Sequence, residues 1–169
     1  ISSQQAAAKV LHTNLPLLKE ELLEKLLAGQ LTQREWEEHR EVLDLPFATG
    51  EQVYLLVIRL EGIFSTYNSR DVLLMESAIL NIAQEIFKPA FHIWHCKEAH
   101  EFLVILLQPG GDKEEAHLDA VMRLSGHLQK SVHTYLKGDV SIVISNPGSL
   151  PDGLQKPFQM AVQTMRRSI

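Results

Sequence analysis

The stretch that most constrains this chain is His92 to Leu107, which ends in the continuous apolar run Phe102 to Leu107. Phe91, Ile93 and His95 alternate with His92, Trp94 and Cys96, and a polar tip runs from Lys97 to Glu101. Strict alternation predicts a half-buried strand, and an unbroken apolar run of that length predicts a strand buried on both faces. A β-hairpin at the centre of the fold follows, with the rest of the chain in two layers around it.

Before the hairpin, Val53 to Leu60 (VYLLVIRL) is another buried strand, apolar on both faces apart from Arg59. Val72, Met75, Ile79, Ile82 and Ile86, flanked by Ala78 and Ala83, recur at helical spacing and predict an amphipathic helix ending before Pro89. Beyond the hairpin, Asp112 and Glu115 form a capping box for a helix over 113–136, with Leu118, Val121, Met122, Leu128, Val132 and Tyr135 inward and Gly138 closing it. Val140, Ile142 and Ile144 alternate with Ser141 and Ser145 in a fourth strand. A last helix begins near Pro157, with Phe158, Ala161, Val162 and Met165 inward. Strand, helix, strand, strand, helix, strand is the order of a ferredoxin-like βαββαβ core, an α+β fold assigned here to 52–169.

Residues 1–46 read as a helical lead-in. Ile1, Ala8, Leu11, Leu15, Leu18 and Leu22 fall on a and d positions of a heptad, with Gln4 as a polar d. A partner helix in a homodimer, over 1–27, and the chain's own core are both open as the surface those leucines cover. Pro16 predicts a break, with one helix to about His12 and a second, or a kink, to Leu27, closed by Gly29. Thr32 and Glu35 form a capping box, with Leu31 and Trp36 as its hydrophobic staple, for a helix over 33–43.

Composition narrows the function classes. The 16 Lys and Arg against 21 Asp and Glu give a net charge of −5, and the cations are scattered, so no basic face points to nucleic acid or to a membrane surface. Cys96 is the sole cysteine, which excludes an internal disulfide and a cysteine-based zinc cluster. No apolar run approaches the roughly 20 residues of a membrane span, and no signal peptide is present, so a cytoplasmic location is expected. The start at Ile1 and the stop at Ile169, on a helical pattern, suggest a segment of something longer.

Candidate chemistry is sparse. His92, His95, Cys96 and His100 suggest a metal site, but His92 and His95 point to opposite faces of a strand, as do His95 and Cys96. A pair of His95 and His100 across the turn is weighed against a plain polar edge. His117, His127 and His133 spread around one helix. Arg59 within an apolar strand requires a carboxylate or a bound anion, and Glu61 on the same strand face makes an internal ion pair the favoured reading over ligand binding. No cofactor is implied.

Several motifs carry a resemblance: Asn-Leu-Pro-Leu-Leu from Asn14 to Leu18, Leu26-Leu27-x-Gly29, Val-Ser-Ile-x-Ile-Ser from Val140 to Ser145, and Leu-x-x-Pro-Phe-x-x-Ala from Leu154 to Ala161. Together with the lead-in and the βαββαβ order, the chain resembles the middle region of YesN-type, AraC-family two-component response regulators. The resemblance implies a receiver domain before this segment and paired helix-turn-helix units after it, with DNA bound only through the latter. It implies a degenerate relative of the GGDEF nucleotide-cyclase fold, in which two metal ions are held by acidic residues of the first strand and the hairpin. In that register the hairpin reads Glu98, Ala99, His100, Glu101, Phe102, and only the last two residues of the signature survive. The literal Gly110-Gly111-Asp112 follows the second hairpin strand instead of joining the two. No Arg-x-x-Asp inhibitory motif occurs from Lys88 to Lys97.

The resemblance therefore implies a non-catalytic relay and dimerisation domain whose dimer or relay helix carries Leu11, Leu15, Leu18 and Leu22. The alternative is a sensory domain holding a sugar acid or nucleotide in a vestigial cleft near Arg59, Glu61, His100 and Glu101. An active nucleotide cyclase is the remaining reading.

Overall fold

The computed structural model describes residues 3–110 and 116–168, with the side chains of 7–13 left aside. The elements are α1 (Ser3–Leu27), α2 (Gln33–Val42), β1 (Gln52–Glu61), a 3-10 turn (Gly62–Thr66), α3 (Ser69–Phe87), β2 (Phe91–Lys97), β3 (Leu103–Pro109), α4 (His117–Leu136), β4 (Asp139–Ile144), β5 (Gly148–Ser149) and α5 (Gln155–Arg167). The fold is α+β. Its antiparallel sheet has the order β2-β3-β1-β4, and β5 pairs with the start of β1. Because β3 is antiparallel to both β1 and β2, the latter two run parallel, with α3 as the crossover between them.

β1 lies inside the sheet because both of its faces are apolar: Val53 to Ile58 are buried without interruption. Tyr54, Leu56 and Ile58 join Leu103, Ile105 and Leu107 under α3 and α4, where Ile79, Phe87, Val121 and Leu128 complete one core. Val53 and Leu55, with Trp94, Val104 and Leu106, face the other way and meet Leu22, Leu23, Leu26, Leu27 and Trp36 from α1 and α2. Val57 meets Ala161, Val162 and Met165 of α5 on that same side. The structure thus has three layers, the sheet and a helical layer on each of its faces. Strands apolar on both faces require cover on both, and the described part of the lead-in supplies half of the second cover.

The lead-in is fixed by polar contacts as well. The Thr32 and Glu35 capping box forms, each backbone N–H donating to the other's side-chain oxygen at 3.1 Å. The Trp36 indole N–H donates to Thr49 Oγ1 at 2.8 Å, and that hydroxyl donates to Glu37 at 2.7 Å. Trp94 stacks on Trp36 and Phe47 with centroids 6.2 and 5.2 Å away, and its indole N–H donates to the Lys19 carbonyl at 3.0 Å. From β3, the buried Gln108 amide both donates to and accepts from the Ala48 backbone.

Several expectations are corrected. α1 is one helix with Pro16 inside it and does not break near His12. A proline costs one backbone hydrogen bond and a local clash, and the burial of Leu22, Leu23, Leu26 and Leu27 downstream offsets that loss. On α4, Leu118, Met122 and Tyr135 are exposed, while Ala120 and Leu124 turn inward beside Val121, Leu128 and Val132. The proposed capping box of Asp112 and Glu115 lies outside the described residues. Lys137, not Gly138, takes the left-handed position that closes α4, at φ 61°. Gly138 has a different reason: the Phe64 ring occupies the space where a Cβ would stand. β5, a strand of only two residues, carries no periodic signal in the sequence.

Candidate functional site

The C-terminal ends of β1 and β2 lie at the same end of the sheet, which brings the close of β1 and the β2–β3 hairpin into one region. The hairpin tip is ordered by Glu98. Its backbone N–H donates to the Phe102 carbonyl at 2.9 Å, and its carboxylate accepts from Phe102 N–H at 3.0 Å. The other carboxylate oxygen is 2.9 Å from His100 Nδ1, and the imidazole stacks on Phe102. With its side chain 6% exposed, Glu98 acts as an internal brace for the turn. Glu101 holds the left-handed conformation at φ 73° that lets the chain re-enter β3.

Lys97 and Glu101 form a second group on the α3 side. Lys97 Nζ is 3.0 Å from both the buried Glu76 and Glu101. Burial alone pulls the Lys97 pKa down, but the hydrogen bonds to Glu101 and Glu76 outweigh it and raise the pKa above its ordinary value. At the end of β1, Arg59 pairs with Glu61 and also donates to the backbone carbonyls of Met165, at 2.9 Å, and of Ser168. The favoured ion pair is therefore present, and the rest of the guanidinium closes α5.

A cavity of about 770 Å³ opens between the end of α1, the hairpin and α5. Leu27, Cys96, Phe158 and Val162 give it an apolar lining, and Glu24, Glu98 and His100 supply charged or ionisable groups. Of the four residues assigned to a vestigial cleft, His100 lines this cavity, while Arg59, Glu61 and Glu101 are not among its walls. Glu98 and Glu24 were not singled out by the sequence. A tip carboxylate and a helix-end carboxylate carry no distinctive spacing, and only the folded chain brings them near α5.

The histidines do not gather. His95 Nδ1 is 3.9 Å from Glu20 of α1, His100 pairs with Glu98, and His92 packs edge-on against Phe47. Among the described residues no group of three or more His, Cys, Asp or Glu side chains is arranged to hold a metal ion. The Cys96 thiol is buried, and burial, followed by the charges of Glu24, Glu20 and Glu98, pushes its pKa far up, so it stays protonated. Of the heptad leucines, Leu22 is inside the core, Leu15 and Leu18 pack partly buried against the same cluster, and the Leu11 side chain lies outside the described set. No described helix is long and apolar enough to cross a membrane. Compared with known proteins, the chain matches no protein-family model and no curated protein.

Proposed function

We propose that this chain is a non-catalytic signal-relay and dimerisation domain of a YesN-type, AraC-family transcriptional regulator, built on a ferredoxin-like core of degenerate GGDEF type. The strand order β2-β3-β1-β4, with α3 and α4 as crossovers, is consistent with that core. The observation that carries the relay reading is the meeting of the first and last helices. α1 and α5 cover the same face of the sheet, and Gln155 Nε2 donates to the Ala28 carbonyl at 3.2 Å across their junction. In a full-length regulator those helices would lead from a receiver and toward paired helix-turn-helix units, so a shift of one would press on the other. DNA would be touched only by the latter units, in the cytoplasm, and homodimer pairing would use α1 around Leu11.

A non-catalytic reading is favoured because the residues in the cyclase positions already have internal partners: Arg59 and Glu61 with each other and with α5, Glu101 with Lys97. Concentration-dependent sedimentation tests the pairing. A dimer in the parent chain that dissociates in Leu11→Glu supports it, and a strict monomer at the highest soluble concentration refutes it. Incubation with GTP and magnesium or manganese tests the rest: turnover to a cyclic dinucleotide would overturn the non-catalytic assignment.

A further inference from the structure

The cavity beside the hairpin has a chemical bias of its own. Its volume of about 770 Å³ falls in the range of small-molecule sites. The Lys97 ammonium on its wall is held between Glu76 and Glu101, and His100 is paired with Glu98. Glu98 lies deep in the wall and Glu24 stands on the exposed rim, so with Glu76 and Glu101 the carboxylates around the cavity outnumber the Lys97 ammonium. An anionic ligand would meet an excess of like charge here, and a cation would be attracted by it.

We infer that this cavity binds a small organic amine, with its apolar or aromatic body against Leu27, Phe158 and Val162 and its ammonium group between Glu98 and Glu24. Glu98 can accept it. A carboxylate offers about four lone-pair positions, and Phe102 N–H and His100 Nδ1 occupy two of them. The protonated Cys96 thiol adds a neutral, polarisable surface to the wall. Sugar acids and nucleotides, the ligands expected of a vestigial cyclase cleft, are the wrong charge for this site.

The inference does not rest on the relay proposal, because pairing is read by sedimentation with no amine present. The test is calorimetry and thermal shift on the whole chain with tryptamine and octylamine, against indole-3-propionate and nonanoate of matched shape. At least one amine binds and raises the melting temperature, and the carboxylates do neither. Glu98→Gln weakens amine binding on the order of tenfold. Since that change also touches the hairpin brace, two exposed positions serve as controls for folding: Glu24→Lys weakens the amine, and Ala28→Trp obstructs the cavity mouth and removes binding. Absence of binding by both amines, equal binding of amines and carboxylates, or amine binding unaltered in both Glu24→Lys and Ala28→Trp would each overturn the inference.

Discussion

Arg59 of β1 donates a 2.9 Å hydrogen bond to the backbone carbonyl of Met165, in the final turn of a helix 106 residues later. A guanidinium at a helix C-terminus satisfies carbonyls that have no partner within the helix and complements the negative end of its dipole. The side chain is 23% exposed, so water only partly screens it. Arg59→Met is expected to cost about 1.5–3 kcal/mol, the range for hydrogen bonds to charged groups, and to speed amide exchange over 163–168. Arg59→Lys recovers only part, because an ammonium cannot fork between Glu61 and two carbonyls. An unchanged urea midpoint and exchange pattern in Arg59→Met would show that the tie contributes nothing.

The lead-in is expected to be indispensable for folding. A chain lacking 1–46 would uncover Val53, Leu55, Trp94, Cys96, Val104 and Leu106. At about 1.5–3 kcal/mol per fully buried apolar side chain, the six together come to about 9–18 kcal/mol, as large as the roughly 5–15 kcal/mol that holds a whole domain folded. The truncated chain should show no cooperative urea transition and should bind a hydrophobic dye. In the whole chain, Leu23→Ala, at a position with no exposure, should cost about 2–5 kcal/mol. A cooperative transition in the truncated chain near that of the parent would establish 52–169 as an independent domain.

The strands and helices were legible because burial imposes a period on sequence. Val53 to Ile58 and Leu103 to Leu107 announced strands apolar on both sides, and Thr32 with Glu35 announced a capped helix. The same run in β1 implied that both sheet faces need cover, yet nothing local says which helix supplies it. Leu22 reads equally well as a coiled-coil a position and as a core residue. The inward face of α4 was misjudged at Leu118, Met122 and Tyr135, because hydrophobicity alone does not separate a buried stripe from exposed apolar residues beside it. The Arg59–Glu61 pair was readable from strand alternation. The cavity was not, since Glu24, Glu98 and Phe158 come from three distant segments joined only by the packing of α1 and α5.

Gly138 tests whether tight packing, and not helix capping, accounts for a glycine. Its φ is not in the left-handed region, so alanine meets no backbone strain there, but the new methyl would run into the Phe64 ring. Phe64 is 2% exposed and has little room to move. Gly138→Ala should destabilise by about 1–3 kcal/mol, as overpacking does. Adding Phe64→Leu should bring the double variant's loss well below the sum of the two single losses, because the collision is shared. Additive losses would place the cost elsewhere.

His95 should make the fold sensitive to mild acid. Burial holds its pKa below the ordinary 6.5, and the Glu20 carboxylate, 3.9 Å away, opposes that shift only in part. The unfolded chain therefore takes up a proton near 6.5 that the folded chain still refuses, and proton uptake by the unfolded state weakens folding. The contribution of His95 is constant above that pH. It declines as pH falls below about 6.5, and the decline levels off once the folded imidazole itself titrates. His95→Gln keeps a polar side chain at this strand position and removes the titration. The stability difference between parent and variant, from urea midpoints taken from pH 7.5 down to about 5, should therefore move against the parent as pH falls. A difference that does not change with pH would mean that His95 is protonated as readily in the folded chain as in the unfolded one.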